Sequence, residues 1–434
     1  AIGIDSTNHL AYQHLVGIYQ MAAQGSGLVL DGDTLRNAST PELIRAIGPE
    51  RILALRNAAK LKSRDAAAGW LASDPDARQA YRSLSDAYVQ LGKWDSAVVV
   101  LERTNNRPTS SSPSVPYRVA LLHLLADDTL ALPTLRAALQ RYPTDSLKAR
   151  GEIDRLPVLM SGFSIAGANG AIGLLDTLLR TAVNVDSMMP GGGSTTQQTG
   201  GFYALAIKLA MGIKPTEADK RNLARGIDAI DQSKSPYAPQ MRAGSISLPY
   251  LAFLATGDTS FAGTARRWAA PPGTTNFANM LPELTAMIAA NSGDTARAAQ
   301  LVREFPSVDS LKNPNIAIGM AGLRLYARGQ VATAVGDLRR AAGIYEVIDP
   351  KRFTSIGMSE PGFATYARSF LARGKVYEQL GESDKAIAAY EEFIRRWKNA
   401  DAPLQPQVSD ARQAIARLKD KPKSIPVGAP PRRG

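Results

Sequence analysis

Three histidines are the first candidates for acid–base chemistry or metal binding: His9, His14 and His123. A helical metal pair needs ligands three or four positions apart, so that both project from one face. His9 and His14 stand five apart, and His123 sits in the apolar run Leu121-Leu122-His123-Leu124-Leu125. All three are expected to be packed or surface imidazoles, with no metal site. Two glycine-rich stretches, Gly167-Ala168-Asn169-Gly170-Ala171-Ile172-Gly173 and Gly191-Gly192-Gly193-Ser194-Thr195-Thr196, lack the lysine that a phosphate loop sets beside its backbone amides. The first is expected to be a helix start with close packing. No G-x-S-x-G elbow raises a serine to a nucleophile. The adjacent acids Asp127/Asp128 and Glu391/Glu392 fit caps and solvated charges better than a catalytic dyad. Asn37-Ala38-Ser39 is a formal glycosylation sequon of the kind chance supplies. The chain is therefore expected to be no enzyme, with no catalytic residue, cofactor, metal or small-molecule substrate.

The sequence has no cysteine, which excludes disulfides, a zinc ribbon, an iron–sulfur cluster and a cysteine nucleophile. The compartment stays open, and cytoplasmic and exported locations are both compatible. Of 434 residues, 44% are hydrophobic and 21% charged, the balance of a folded chain with material for a large core. Aromatics are only 6% while alanine is frequent, which suits closely packed helices. The net charge is +12. A basic, proline-rich tail over 419–434 holds Lys419, Lys421, Lys423, Arg432 and Arg433 against Asp420, and the other charges spread over helix faces of both signs. No basic, aromatic-interleaved motif accompanies them, so nucleic acid is not the expected partner. No apolar run reaches the roughly 18 residues of a membrane span. The chain begins with Ala1, which fits either a removed leader or a piece of a longer protein.

The elements are helices, and they recur. From Ser369 to Trp397 apolar and small residues return every three or four positions in two blocks: Phe370, Gly374 and Tyr377, then Ala386, Tyr390 and Phe393. Gly381 between them can take the left-handed conformation that ends a helix, and Ser383 or Asp384 can cap the next. Tyr81, Leu84, Tyr88, Gly92, Ala97 and Leu101 follow the same pattern, with Ser85 at the small position. Gly257, Gly293 and Gly329 lie 36 residues apart, each followed five residues later by alanine: Ala262, Ala298 and Ala334. All three are expected to be helix stops before a capped helix.

These hairpins resemble the tetratricopeptide repeat, in which a small residue of helix A faces a small residue of helix B. Gly374 and Ala386 stand at those places, Phe370, Tyr377 and Tyr390 at the large packing positions, and Gly381 at the turn. The resemblance implies an all-α fold, a right-handed α-solenoid of hairpins with an irregular middle section. Its expected divisions are an N-terminal helical cap (1–75), hairpins (76–150), an irregular helical section with an exposed Gly/Thr-rich loop at 186–201 (151–235), further repeats and a final helix (236–418), and the extended tail (419–434). In the resembling family partners lie along a concave groove lined by the A helices. Carried over, that groove comprises Leu251, Leu254, Met287, Leu323, Tyr326, Arg368 and Lys375, with Leu371 and Glu378 beside them. The implied function is a protein–protein interaction scaffold holding a peptide, helix or partner subunit. An alternative is a sensor or regulatory segment of a longer signalling protein, since the Gly-Asp-Thr turns resemble arrays beside bacterial Ser/Thr kinases and transcriptional regulators. A third is an enzyme using the irregular section.

Overall fold

The computed structural model describes residues 8–24, 28–32, 34–37, 41–105, 114–126, 129–143, 152–178, 205–235, 238–269, 281–308, 321–349 and 362–420. The stretches 186–201 and 421–434 lie outside them, as do Asp127/Asp128 and Gly191 to Thr196. The architecture is an all-α helical repeat, and the chain divides into two compact units at Ile165/Ala166.

In the first unit α1 (His9–Gln24) lies against the long α3 (Pro49–Ser73), with α2 (Pro41–Ile47) before it. Tyr12 and Val16 meet Ala66, Ala67 and Trp70, and the Tyr12 ring approaches so closely that a Cβ on Gly69 would stand 3.2 Å away. Within the segment expected to be a helical cap, a β-hairpin follows α1. β1 (Leu28–Asp31) pairs antiparallel with β2 (Thr34–Asn37), turning at Gly32 with φ +64°. Val29 packs on Ile52, and Leu30 packs on Ala22, Ala23 and Ala59. Asp31 holds Arg36 and Arg51 at 3.1 and 2.9 Å. Period-two apolarity over four residues is too short a signal to separate from a loop.

Next come α4 (Arg78–Gln90), α5 (Trp94–Asn105), α6 (Ser114–Ala126) and α7 (Ala131–Arg141), each packed on the one before. Gly92 ends α4 with φ +70°, and Ser85 Oγ donates to the Ala97 carbonyl at 3.1 Å, where α4 and α5 cross. The small position thus brings the two backbones together, as the hairpin pattern requires.

The second unit takes in the end of α8 (Glu152–Asn169), the helical segments 172–178 (α9) and 205–211 (α10), and then a run of paired helices: α11 (Glu217–Asp231), α12 (Ala238–Gly244), α13 (Ser247–Thr256), α14 (Ser260–Ala269), α15 (Leu281–Asn291), α16 (Thr295–Glu304), α17 (Ala321–Ala334), α18 (Leu338–Glu346), α19 (Gly362–Gln379), α20 (Ser383–Trp397) and α21 (Gln405–Asp420). Thr216 and Asp219 form a capping box at the start of α11. The glycine-rich stretch at 167–173 is a helix start, as expected, and a helix end as well: α8 closes in it and α9 begins at Ile172. Gly170 closes α8 with φ +66°, and its carbonyl accepts the Asp401 N–H at 3.0 Å. The Asp401 carboxylate accepts the Gly173 N–H at 2.7 Å, and Trp397 Nε1 donates to the Ala168 carbonyl at 2.9 Å. A Cβ on Gly170 would stand 2.6 Å from that of Ala400. The glycines are there so that two backbones can touch.

Repeat register is visible in the turns. Gly92, Gly257, Gly293, Gly336 and Gly381 all have positive φ, and the alanines five residues on (Ala97, Ala262, Ala298, Ala341 and Ala386) are each at most 1% exposed. The expectation for Gly329 is corrected: it lies inside α17, while Gly336 makes the turn, and Ala334 is exposed. Gly329 instead faces the ring of Tyr345, as Gly374 faces Tyr390. The helix caps also differ in part from expectation. Asp294 and Asp337 accept from Arg297 N and Arg340 N at 3.0 and 3.3 Å, but the residue capping α20 is Glu382, without a side-chain cap bond. Glu382 is drawn instead to Arg339 and Lys385.

One contact predicts a pH dependence. Trp268 Nε1 donates to Asp231 Oδ1 at 2.8 Å and Arg267 Nη2 to Oδ2 at 3.0 Å. The tryptophan bond first, and then the arginine, outweigh partial burial and hold the Asp231 carboxyl below its ordinary 3.8. A depressed folded pKa gives stability that is present above the unfolded value and lost as pH falls through the folded one. Trp268→Phe is therefore expected to lower stability at neutral pH and to leave a shallower loss below about pH 3.8. Thermal melts between neutral pH and about pH 2 test this; an unchanged acid slope would contradict it.

Candidate interaction cleft

The C-terminal hairpin is built for tight crossing. Gly374 carries no side chain where α19 meets α20, and the Tyr390 ring fills that place, 1% exposed. Phe393 and Trp397 pack beyond it, their rings tilted at 52° and 5.2 Å apart between centroids. α21 packs on α20 through Val408, Ala411, Ala414 and Leu418. A cleft of about 230 Å³ opens between α19, α20 and α21. Its floor is Leu371, Tyr390 and Ala414, all buried. Its walls are Lys375 and Glu378 from α19, and Asp410, Gln413 and Arg417 from α21.

The electrostatics divide these walls into a fixed part and an open part. Glu378 is held in place by the Tyr390 hydroxyl, which donates to Oε2 at 3.1 Å, and by Arg417 at 3.5 Å. Burial, with Glu378 adding to it, pushes the Tyr390 pKa up and keeps its hydroxyl a donor. Lys375 and Asp410 are exposed, and neither forms a hydrogen bond or ion pair among the described residues. One free cation and one free anion thus stand on different helices over an apolar floor. A chain segment entering there can bury an apolar group and meet a charge of either sign.

The structure distributes the sequence-expected groove residues unevenly. Lys375 lines the cleft, as do Leu371 and Glu378. Arg368 is half-buried: its Nη1 donates to the carbonyls of Leu209 and Ala210 at 3.3 Å, and its guanidinium stacks 4.8 Å from the Tyr326 ring. It ties down the end of α10. Leu254 is half-buried, whereas Leu251, Met287, Leu323 and Tyr326 are buried at 0%, 9%, 5% and 7% exposure. Those four side chains are engaged inside the unit, Tyr326 against Tyr345 at 5.5 Å between centroids. Sequence reasoning passed over Asp410, Gln413 and Arg417, although positions 410, 413 and 417 share one face at helical spacing. It also passed over the motif Ala327-Arg328-Gly329-x-Val331, repeated as Ala372-Arg373-Gly374-x-Val376, whose glycines face Tyr345 of α18 and Tyr390 of α20.

His9 and His14 are exposed, His9 lying 3.7 Å from Asp74, and His123 is buried on α6 with Nε2 3.2 Å from Glu102. Among the described residues no three His, Asp or Glu side chains are placed to hold a metal ion, and no helix is long and apolar enough to cross a membrane.

Residues 367–396 match the tetratricopeptide-repeat family model, so the cleft's α19 wall and Tyr390 lie within a recognised repeat. The crystal structure of yeast Tom70 aligns with 87% of this chain and 96% of its own, at 12% identity and a TM-score of 0.25. At that score the likeness bears on neither fold nor function. No curated protein matches the chain in sequence.

Proposed function

We propose that this chain is a non-catalytic protein-interaction scaffold, and that the cleft between α19 and α21 receives a segment of its partner. The observation that carries this reading is the pair of open charges, Lys375 and Asp410, over the floor of Leu371, Tyr390 and Ala414. An accessible concavity with an apolar base and a few polar groups is the usual form of a recognition site. The segment that fits carries an acidic residue for Lys375, a basic residue for Asp410 and an apolar side chain between them. Leu254 and Arg368 contribute at most their exposed edges to such a surface. On the same reading the segment 1–75 caps the helices that follow it, covering apolar surface that a terminal repeat would otherwise expose.

The test is charge reversal with a matched control. Lys375→Glu and Asp410→Lys are each expected to weaken the partner about tenfold or more, which corresponds to roughly 1.4 kcal/mol. Arg412→Glu, exposed on α21 outside the cleft, is expected to leave binding unchanged. Surface-immobilised chain titrated with material from the native source gives the comparison. Equal binding by all three variants would move the site elsewhere.

A further inference from the structure

The interior of the second unit holds a group of charges that the cleft does not use. Glu283 on α15 is 1% exposed, and Arg324 and Arg328, one turn apart on α17, are 3% and 4% exposed. Arg324 grips the carboxylate at two points, Nε to Oε2 at 2.9 Å and Nη2 to Oε1 at 2.6 Å. Arg328 Nε donates to Oε1 at 2.8 Å, and its Nη2 reaches the same oxygen. Oε1 thus already serves three N–H groups. Two donors of the same cluster are left over: Arg328 Nη1 and the hydroxyl of Tyr250 on α13. Both are shut off from solvent, and neither meets an acceptor. Burial raises the Tyr250 pKa, and the Glu283 charge raises it further, so the hydroxyl keeps its proton. A buried donor without an acceptor is costly, and a charged one more so.

We propose that this cluster binds a small monovalent anion, a halide or a formate-sized carboxylate, held by Arg328 Nη1 and Tyr250 Oη. Both open groups are donors, and Arg328 shares its only carboxylate among the described residues with Arg324. A species that only accepts, and carries one negative charge, answers both conditions, whereas a water would also have to place its own two protons. The cluster joins α13, α15 and α17, helices of three successive hairpins. Occupancy would therefore couple anion concentration to the packing of this part of the unit.

The experiment is thermal unfolding of the full chain at fixed ionic strength, replacing gluconate with chloride or, separately, with formate. A ligand bound only by the folded state raises the midpoint saturably. We expect a rise of about 3 °C or more by roughly 150 mM chloride or formate, with the stronger of the two arms identifying the anion. Tyr250→Phe removes only the O–H and is expected to abolish the increment while still melting cooperatively in gluconate. Arg328→Lys, which lacks Nη1, serves as the second variant should the first fail to fold. Equal midpoints in gluconate, chloride and formate would overturn the proposal, as would a full response in both variants. Bromide-soaked crystals give an independent readout: an anomalous peak beside Arg328 and Tyr250 supports the site, and none there argues for water alone.

Discussion

Glu283→Gln is expected to cost the second unit about 3–5 kcal/mol, the penalty of leaving a buried partner charge uncompensated. In a unit of this size that lowers the melting midpoint by roughly 6–20 °C. The residue sits 1% exposed between two arginines that are themselves nearly inaccessible, so neither can turn to water when the carboxylate goes. The neutral amide keeps the shape and loses the charge, which separates electrostatics from cavity formation. The triple change Glu283→Leu, Arg324→Met and Arg328→Leu is expected to recover most of the loss, since removing all the charges together also removes their desolvation cost. Differential scanning calorimetry on the three proteins gives the comparison. A Glu283→Gln midpoint within about 2 °C of the parent would contradict the buried-cluster account.

The second large effect is one of sign. Alanine is ordinarily the better helix residue, by about 0.5–1 kcal/mol over glycine. At Gly226, inside α11 and with nothing near a new Cβ, the substitution is expected to stabilise by about that amount. At Gly374 the same change places a methyl group within the Tyr390 ring's contact distance, and the ring is pinned by its hydroxyl bond to Glu378. Gly374→Ala is therefore expected to destabilise by about 1–3 kcal/mol, and Gly329→Ala likewise against Tyr345. Chemical-denaturation midpoints measure all three. Stabilisation at Gly374 would mean that the hairpin crossing is looser than described. Gly374→Ala with Tyr390→Leu should regain part of the loss, because the second change makes room for the first.

What was legible in the sequence was what depends on neighbours along the chain. A helix stop needs positive φ and an alanine five residues later needs a close crossing, so Gly92, Gly257, Gly293 and Gly381 declared themselves. Gly329 was misplaced because a glycine can serve either need. Its 36-residue spacing matched the turns, while the shared Ala-Arg-Gly-x-Val motif and the Tyr345 and Tyr390 sixteen residues beyond assign it to the crossing. The β-hairpin was missed because its strands are four residues each. Glu283 meets Arg324 and Arg328 only when successive hairpins stack, across 41 and 45 residues. The cleft was half visible: α19 supplied Leu371, Lys375 and Glu378 from the repeat pattern, but the wall from α21 belongs to a helix outside it. Leu251, Met287, Leu323 and Tyr326 stand at groove positions carried over from the resembling family, and here neighbouring elements cover them.

A partner segment seated between α19 and α21, as proposed, lies within reach of a crosslinker placed on the cleft wall, so site-specific photo-crosslinking is the decisive experiment. A photoreactive residue at Gln413, on the cleft wall, is expected to capture one discrete protein from the native source, and to lose it when Lys375→Glu is introduced in the same chain. The same group at Lys385, exposed near the start of α20 and outside the cleft, is expected to capture nothing at that mass. Capture from Lys385 but not from Gln413, or capture at Gln413 that survives Lys375→Glu undiminished, would mean that the partner does not enter this cleft.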